Sequence, residues 1–509
     1  MKKNSLRVLL PLVLGAVQGI AVSYSLGSLQ IAALAVFFIL LSRIPGKAAS
    51  FTAGLCFGTG WLSTALYWLY YSMHQYGGIP LVLSFAAVVL LAAFLALSTG
   101  TAAAIARFWR DKFQLSDATY FFYALVPFWT LAASFRNDAL TGFGWGGAAY
   151  AHTDSILFEY APFVGAFGID LLSSVVAASL AMTAILLSRK ALKSAAVAFS
   201  AVLLISAGGF IAGKADYGKE GGTLSFRLIQ GGIAQDEKFS PMGTKQSFER
   251  YLAAMREPGL EKGQIVVMPE TIFPVPLTRL PQAIKDVFLE INTKQAQPVI
   301  YGGFIEPERA RYYNSAVFID PEHREHFYLK RHLVPFGEYV PPGFRWFVDA
   351  LGIPMADQTA GDNSQQPFEI NGEAIGVTLC YEDLFPREMA TWWNIEKTPG
   401  VFVNLSNLAW FGDTRAGAQH LAIARMRAKE FSRPMVRATN TGVTCAIDHR
   451  GHVTQELPLM KPGYLNVKVA TRRGDVTPYT RNGDFPILLI CLILIALGAL
   501  RIQNKRSNG

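Results

Sequence analysis

The sequence predicts two architectures in one chain: an α-helical polytopic membrane domain of about eight spans, and an α/β domain lying outside the cytoplasmic membrane. Three observations carry this reading. Of the 509 residues, 51% are hydrophobic and only 16% are charged, too apolar for an ordinary soluble protein and long enough for two domains. Apolar runs able to cross a hydrocarbon core of roughly 30 Å recur about eight times. Between residues 214 and 484 the pattern changes to short apolar stretches alternating with charged, helix-like ones.

The runs fall at 7–25, 28–42, 51–72, 80–106, 119–135, 163–188, 194–212 and 485–502, the second and fifth being the shortest. Lys and Arg gather in alternate loops, as the positive-inside rule asks of cytoplasmic ones. Lys2, Lys3 and Arg7 precede the first run, Arg43 and Lys47 follow the second, and Arg107, Arg110 and Lys112 follow the fourth. Arg189, Lys190 and Lys193 follow the sixth, and Arg501, Lys505 and Arg506 the last. The intervening loops, such as 23–28 and 73–80, carry almost no charge. An even number of spans with both termini cytoplasmic fits every cluster. It divides the chain into 1–213 with spans one to seven, 214–484 as the extracytoplasmic domain, and 485–509 as the last span and a cytoplasmic tail. Lys2 and Lys3 ahead of an apolar run ending near Ala21-Val22-Ser23 also fit a signal peptide. The span count favours an uncleaved anchor, and cleavage there would leave the later spans oriented as before.

The formal charge of +9 does not indicate nucleic acid. The fourteen basic residues of these loops, against Asp111 and Asp117, outweigh the whole net charge, so the remainder is slightly acidic and the basicity is topological. Asp170 is the main charge inside the predicted spans. A transport path usually needs more, which argues against a transporter or a receptor that merely binds ligand.

In the extracytoplasmic part, strands are expected at 224–229, 264–268, 299–304, 314–319, 375–379, 401–405 and 435–439, and helices at 246–255, 281–293 and 417–431. Two of these strands end on chemistry. Gln264-Ile265-Val266-Val267-Met268-Pro269 runs into Glu270, and Ala374-Ile375-Gly376-Val377-Thr378-Leu379 runs into Cys380-Tyr381-Glu382-Asp383. Active sites of α/β sheets form at the carboxyl ends of strands, so distant segments can meet there. Lys330, in Tyr328-Leu329-Lys330-Arg331-His332, completes a proposed set of Glu, Lys and Cys. Glu338 follows it in the Pro- and Gly-constrained loop 332–341.

Cysteine attacks carbonyls as a thiolate and needs a proton acceptor and a nearby cation. Glu270 suits the first role, helped by apolar Pro269, Ile272 and Phe273 around it. Lys330 suits the second and can also donate to the oxyanion of a tetrahedral intermediate, together with the N–H of Tyr381. Each residue alone has a plain structural reading: a loop-capping Glu, a solvated Lys, a Cys380–Cys445 disulfide. Cys56 and Cys491 lie in spans as small apolar side chains. His323 and His326 lack a third ligand at metal spacing and read as surface histidines. Arg425, Arg427 and Lys429 read as one solvated, partly packed helix, in which Arg427 is a possible partner for a phosphate or carboxylate. Gly142-Phe143-Gly144-Trp145 is read as an extracytoplasmic loop that either lies near the proposed active face and shapes access to it or packs.

The Glu, Lys and Cys set resembles the nitrilase superfamily, and joined to eight spans it resembles the bacterial apolipoprotein N-acyltransferases. The resemblance rests on Met268-Pro269-Glu270-Thr271, Lys330 with His332 to Glu338, Cys380-Tyr381-Glu382, Trp410-Phe411-Gly412-Asp413, Arg425-Met426-Arg427-Ala428 and Arg433-Pro434. It implies a nitrilase-like αββα sandwich in the periplasm of a bacterial cell, carried by a multi-pass inner-membrane domain. It implies the last step of lipoprotein maturation: Cys380 attacks the sn-1 ester of a phospholipid, typically phosphatidylethanolamine, and holds the acyl chain as a thioester. The chain then passes to the α-amino group of an S-diacylglyceryl cysteine at a lipoprotein's N-terminus. By the same resemblance Glu270 is the base, Lys330 the oxyanion stabiliser and Cys380 the nucleophile. Glu338, Tyr381 and Glu382 support them, and no metal or organic cofactor is implied. Phe239 stands where the family often has Trp, keeping aromatic surface but losing an N–H donor, and Leu408 stands where an acidic residue is common. Phe239 and Trp410 are expected to touch substrate. A lipid substrate also accounts for Phe344, Trp346 and Phe347 after the Pro341-Pro342-Gly343 break, as an arm that dips into the outer leaflet; packing is the other reading, as it is for Trp392 and Trp393. The competing enzyme is a membrane-anchored amidase or hydrolase that gives the acyl group to water.

Overall fold

The computed structural model describes residues 2–238, 241–287, 297–308, 311–346 and 357–507. The chain separates into two compact units, one of Met1–Tyr70, Pro80–Asp216 and Thr477–Gly509, the other of Tyr71–Ile79 with Tyr217–Val476.

The first unit is helical. Its helices are α1 (Lys2–Ser23), α2 (Gly27–Arg43), α3 (Lys47–Ala65), α4 (Leu81–Phe113, broken for one residue at Ala96), α5 (Asp117–Asp138), α6 (Ala161–Ser188) and α7 (Leu192–Ala212), followed by a C-terminal helix Phe485–Ser507. Four helical stretches among the described residues, Leu81–Phe113, Asp117–Asp138, Ile156–Ser188 and Leu192–Ala212, are long and apolar enough to cross a membrane. Three shorter apolar helices, Arg7–Ser23, Gly27–Arg43 and Phe485–Leu500, coincide with other expected runs. The third run coincides with α3, whose Gly, Ser and Thr residues dilute its hydropathy.

Ion pairs tie the helix ends together. Asp117 accepts from Arg110 at 2.6 Å and from Arg189 at 2.7 Å, joining the end of α4, the start of α5 and the end of α6. Arg107 and Arg110 donate to the carbonyls of Ile44 and Ser42 at the end of α2. Basic clusters far apart in sequence therefore share one end of the bundle. Inside it, Asp170 and Arg136 are both buried, and the Arg136 guanidinium lies over the Trp61 ring at 5.1 Å. Trp145 is buried against Trp68, with ring centroids 4.8 Å apart, so the Gly142–Trp145 stretch packs within this unit. α6 kinks at Gly165, whose φ of 62° and contact with the Tyr479 ring exclude any Cβ.

The second unit is built on two six-stranded sheets. The strands are β1 (Lys219–Gln230), β2 (Ile265–Val267), β3 (Val299–Glu308), β4 (Arg311–Ile319), β5 (Glu325–Leu329), β6 (Phe368–Ile370), β7 (Glu373–Leu379), β8 (Val401–Ser406), β9 (Met435–Thr439), β10 (Cys445–Ile447), β11 (Val453–Glu456) and β12 (Gly463–Arg473). One sheet runs β12-β1-β2-β3-β4-β5, the other β11-β10-β9-β8-β7-β6. In each, three inner strands are parallel, β1-β2-β3 and β7-β8-β9, and the flanking pairs are antiparallel. The parallel strands β2, β8 and β9 are buried along their whole length, as apolar runs covered on both faces must be.

The helix α8 (Pro241–Arg256) covers the first sheet, setting Tyr251 and Met255 against Ile229, Val266, Val299 and Val317. The helix α9 (Ala416–Phe431) covers the second, where Phe431 stacks on Trp393 at 5.0 Å and lies beside Phe402 of β8. The opposite faces meet each other: Phe318 of β4 stacks on Phe368 of β6 at 5.2 Å, and Gln230 Oε1 accepts from Thr444 N–H at 3.3 Å. Each fully buried apolar side chain in these layers contributes about 1.5–3 kcal/mol.

One expectation is corrected, and two open readings are decided. α9 is not a solvated helix: Arg427 is fully buried and paired with Glu430 at 2.7 Å, and Lys429 is buried too, because this helix lies against the sheet. Trp392 is likewise core, stacked near Tyr328 at 5.8 Å. All four cysteines are free, so Cys380 and Cys445 are not bridged. The expected helix 281–293 is helical at 282–287 and then passes outside the described residues.

Candidate active site

Glu270 is set by its backbone. Just past β2, Pro269 O accepts from Gly302 N–H at 3.1 Å and Ile272 N–H donates to Gly302 O at 3.0 Å. A Cβ on Gly302 would lie 2.5 Å from Glu270 Cα, so only glycine lets β3 approach so closely. Lys330 follows β5, its N–H donating to Asn314 O at 2.8 Å and its carbonyl accepting from Gly361 N–H at 2.8 Å. Cys380 follows β7 with a φ of 49°, in the left-handed region that L residues enter at a cost. Its carbonyl accepts from His420 Nε2 at 3.1 Å and Asn404 Nδ2 at 3.4 Å.

The side chains converge. Lys330 Nζ donates to Glu270 Oε1 at 3.0 Å and to Glu338 Oε1 at 2.7 Å, and Asn314 Nδ2 donates to the same two oxygens at 2.8 Å each. Glu270 Oε2 accepts from Asn407 N–H at 3.0 Å, and Glu338 Oε2 from Val334 N–H at 2.9 Å. Cys380, Glu270, Glu338 and Lys330 are all buried. Burial alone would lower the Lys330 ammonium, but the charges of Glu270 and Glu338 outweigh it and hold the lysine protonated above its ordinary range. Burial, then Glu270, push the Cys380 thiol up, while Lys330 and the Asn407 N–H pull it down. Burial and the Glu270 charge thus oppose ionisation of the thiol more than Lys330 and Asn407 favour it.

Glu382 does not face the reacting groups. It accepts from Leu379 N–H at 2.7 Å, Tyr328 OH at 3.0 Å, Arg331 N–H at 2.6 Å and His332 N–H at 3.3 Å, locking the segment that bears Lys330 to the end of β7. Tyr381 is buried near Phe385 and His332, at 5.1 and 5.6 Å. Trp410 is half-buried, and Phe344 and Trp346 are 46% and 68% exposed, Phe344 lying edge-on to Phe336 at 5.4 Å. Phe239 and Phe347 lie outside the described residues. His326 pairs with Asp320 at 3.0 Å.

Sequence reasoning missed several residues that the fold brings here. Asn314 is a polar residue in an otherwise apolar part of β4, a signal that was available. Asn407 and Gln235 carry none. A buried brace behind Cys380 was equally hidden: His420 Nε2 meets Asp383 Oδ1 at 2.8 Å and Arg437 Nη2 meets His420 Nδ1 at 2.9 Å. Arg cannot accept, so Nδ1 is the acceptor and the imidazole is neutral with its proton on Nε2, aimed at Asp383 and the Cys380 carbonyl.

Lys238 is a second buried lysine, 3.5 Å from the carbonyl of Glu270. Burial lowers it to about 8, with the charge of Glu270 opposing the shift. The unfolded chain keeps that proton up to about 10.4, so in the interval between, unfolding takes up a proton and stability rises with pH. Below about 8 the buried charge costs the folded state its full amount, on the order of 3 kcal/mol. Lys238→Met is expected to melt higher than the parent at about pH 7 and to lose most of that advantage by about pH 10. A variant melting lower than the parent near neutrality would remove this account.

The sequence matches the profile of the apolipoprotein N-acyltransferase N-terminal domain over residues 14–179 and that of carbon-nitrogen hydrolases over 228–479. It is 39% identical to an apolipoprotein N-acyltransferase of Bordetella bronchiseptica, covering 95% of this chain and 94% of that one. It is 37% identical to the apolipoprotein N-acyltransferase of Ralstonia nicotianae, covering 94% and 90%. Among solved structures, a CN-hydrolase superfamily protein from Xanthomonas campestris aligns with 53% of this chain and 97% of its own, at 15% identity and a TM-score of 0.38.

Proposed function

This chain belongs to the apolipoprotein N-acyltransferase family, and on that premise we propose how its site carries out the transfer and where the chain lies in the cell. The protein is an acyltransferase with a nitrilase-superfamily domain, and it N-acylates lipoproteins. The observation that supports the mechanism is the buried cluster in which Lys330 joins Glu270 to Glu338 beside the Cys380 thiol.

In the first half-reaction Glu270 takes the thiol proton as Cys380 Sγ attacks the ester carbonyl of a phospholipid, with phosphatidylethanolamine as donor. Two of the three Lys330 N–H groups are engaged by carboxylates, which leaves the third for the oxyanion, together with the N–H of Tyr381. Collapse of the tetrahedral intermediate breaks the ester C–O bond, Glu270 returns the proton to the departing oxygen, and lysophospholipid leaves. In the second, the neutral α-amino group of the diacylglyceryl cysteine attacks the thioester and passes its proton to Glu270. Sγ is expelled and reprotonated, leaving an amide. Glu338 holds Lys330, Glu382 fixes its segment, and Trp410 lies against substrate.

We place the chain in the bacterial inner membrane as eight spans with both termini cytoplasmic, with boundaries at 1–213, 214–484 and 485–509 and a periplasmic catalytic domain. The positive loops support this, as do the ion pairs of Asp117 that gather the ends of α4 and α6 with the start of α5. Phe344 and Trp346 form an arm at the lipid surface. Changing both to Ser is expected to slow acylation from vesicles about tenfold without shifting the melting temperature; unchanged turnover removes the arm.

The test of the function is intact mass after incubation with phosphatidylethanolamine. An acyl-sized gain that is discharged onto the amine of a diacylglyceryl peptide supports the transferase. Discharge to water at the same rate without peptide supports the hydrolase instead.

A further inference from the structure

Residues Tyr71–Ile79 stand in the sequence between α3 and α4, yet they pack as part of the catalytic unit. The segment holds its own shape: Gly77 N–H donates to Ser72 O at 3.0 Å, Ile79 N–H to Met73 O at 3.0 Å, and His74 Nδ1 meets Ile79 O at 2.8 Å. Its middle, Ser72–Tyr76, winds as one wide π turn, a feature concentrated at functional sites. From it Ser72 Oγ donates to Trp410 O at 2.5 Å and Tyr76 OH to Ala409 O at 3.3 Å. The Tyr76 ring stands edge-on to Trp410 at 5.7 Å.

These contacts close around Asn407. Its side-chain amide donates to Gln235 Oε1 at 3.1 Å, and its Oδ1 accepts from Asn440 Nδ2 at 3.0 Å. Tyr76 and Ser72 therefore anchor the 407–410 turn, whose Asn407 in turn holds Gln235. What Asn407 presents to the site is its backbone N–H, which donates to Glu270 Oε2 at 3.0 Å.

We propose that Tyr76, assisted by Ser72, is a positioning residue of the acyl-transfer site, fixing the Asn407 N–H where it holds the Glu270 carboxylate beside Cys380. The proposal rests on Cys380 as nucleophile and deepens that reading. The thiol faces Glu270 and Glu338, which oppose its ionisation, and Lys330 and the Asn407 N–H, which favour it. Lys238 bears on Glu270 from behind, and His420 binds the Cys380 carbonyl rather than the sulfur. Losing the Asn407 contact loosens the Glu270 carboxylate that faces the thiol. It would act on reactivity without touching substrate.

The test uses the full-length protein in detergent. Alkylation of Cys380 by iodoacetamide is followed across pH by the mass of the peptide that carries it, in parent, Tyr76→Phe and Ser72→Ala. Tyr76→Phe keeps the ring and removes the bond to Ala409 O. It is expected to react about fivefold slower at a given pH, with its rate curve displaced to higher pH and its melting temperature retained, and Ser72→Ala to move the same way by less. Curves that superimpose on the parent's overturn the proposal, including the case in which melting falls but reactivity does not change. If Tyr76→Phe does not fold, the Ser72→Ala curve decides. Acyl-enzyme formation from phosphatidylethanolamine is measured alongside: a displaced alkylation curve with no acylation even in the parent overturns the transferase reading, not the positioning role.

Discussion

Cys380→Ala is expected to abolish the acyl-enzyme, a loss on the order of 10⁴-fold or more in transfer rate. Among the other described groups of the cluster, Glu270 is bound by Lys330, Asn314 and Asn407, and Lys330 is held protonated between two carboxylates. The fold should survive, because Cys380 serves it through its carbonyl, taken by His420 and Asn404, and alanine keeps that carbonyl. Intact mass after phospholipid incubation and a thermal melt read the two effects separately. Transfer within tenfold of the parent, or acylation at another residue, would sink the assignment.

The second large effect is that of Lys330→Met, which is expected to fail in both chemistry and stability. Methionine matches the length of the stem but leaves Glu270 and Glu338 as buried carboxylates sharing Asn314 as donor. Breaking such a pair from one side costs about 3–5 kcal/mol. The double variant Lys330→Met with Glu338→Gln removes one of the stranded charges. It should recover much of the stability and none of the transfer, a coupling that a double-mutant cycle measures. Equal stability of the single variant and the parent would mean that the three groups are not the interdependent cluster described here.

The parts of this molecule that could be read from sequence are those whose signal is local. β2, β7, β8 and β9 are short apolar runs, and β9 runs from Met435 to Thr439 as expected. β6 and β11 were not anticipated, since edge strands of three or four residues with Glu369 or Gln455 in them have no pattern to show. β12 alternates Val467 and Val469 with Asn466 and Lys468 and was legible but unread. Glu270 and Cys380 stand at strand ends, where sequence and topology agree. Asn407, Gln235 and Tyr76 do not, because their place depends on how a turn after β8, a turn after β1 and a stretch between two helices meet in space. The charge of Arg427 misled for a related reason: helix periodicity says which residues share a face, not which face the sheet will cover.

The hydrogen bond from Ser72 to Trp410 joins residues 338 positions apart. During synthesis, at about 5–20 residues per second, the earlier segment is made tens of seconds before its later partner exists. A loose loop would spend that interval sampling other contacts. The bonds of Gly77, Ile79 and His74 lie within the segment itself, so its shape calls on none of the later strands it docks against.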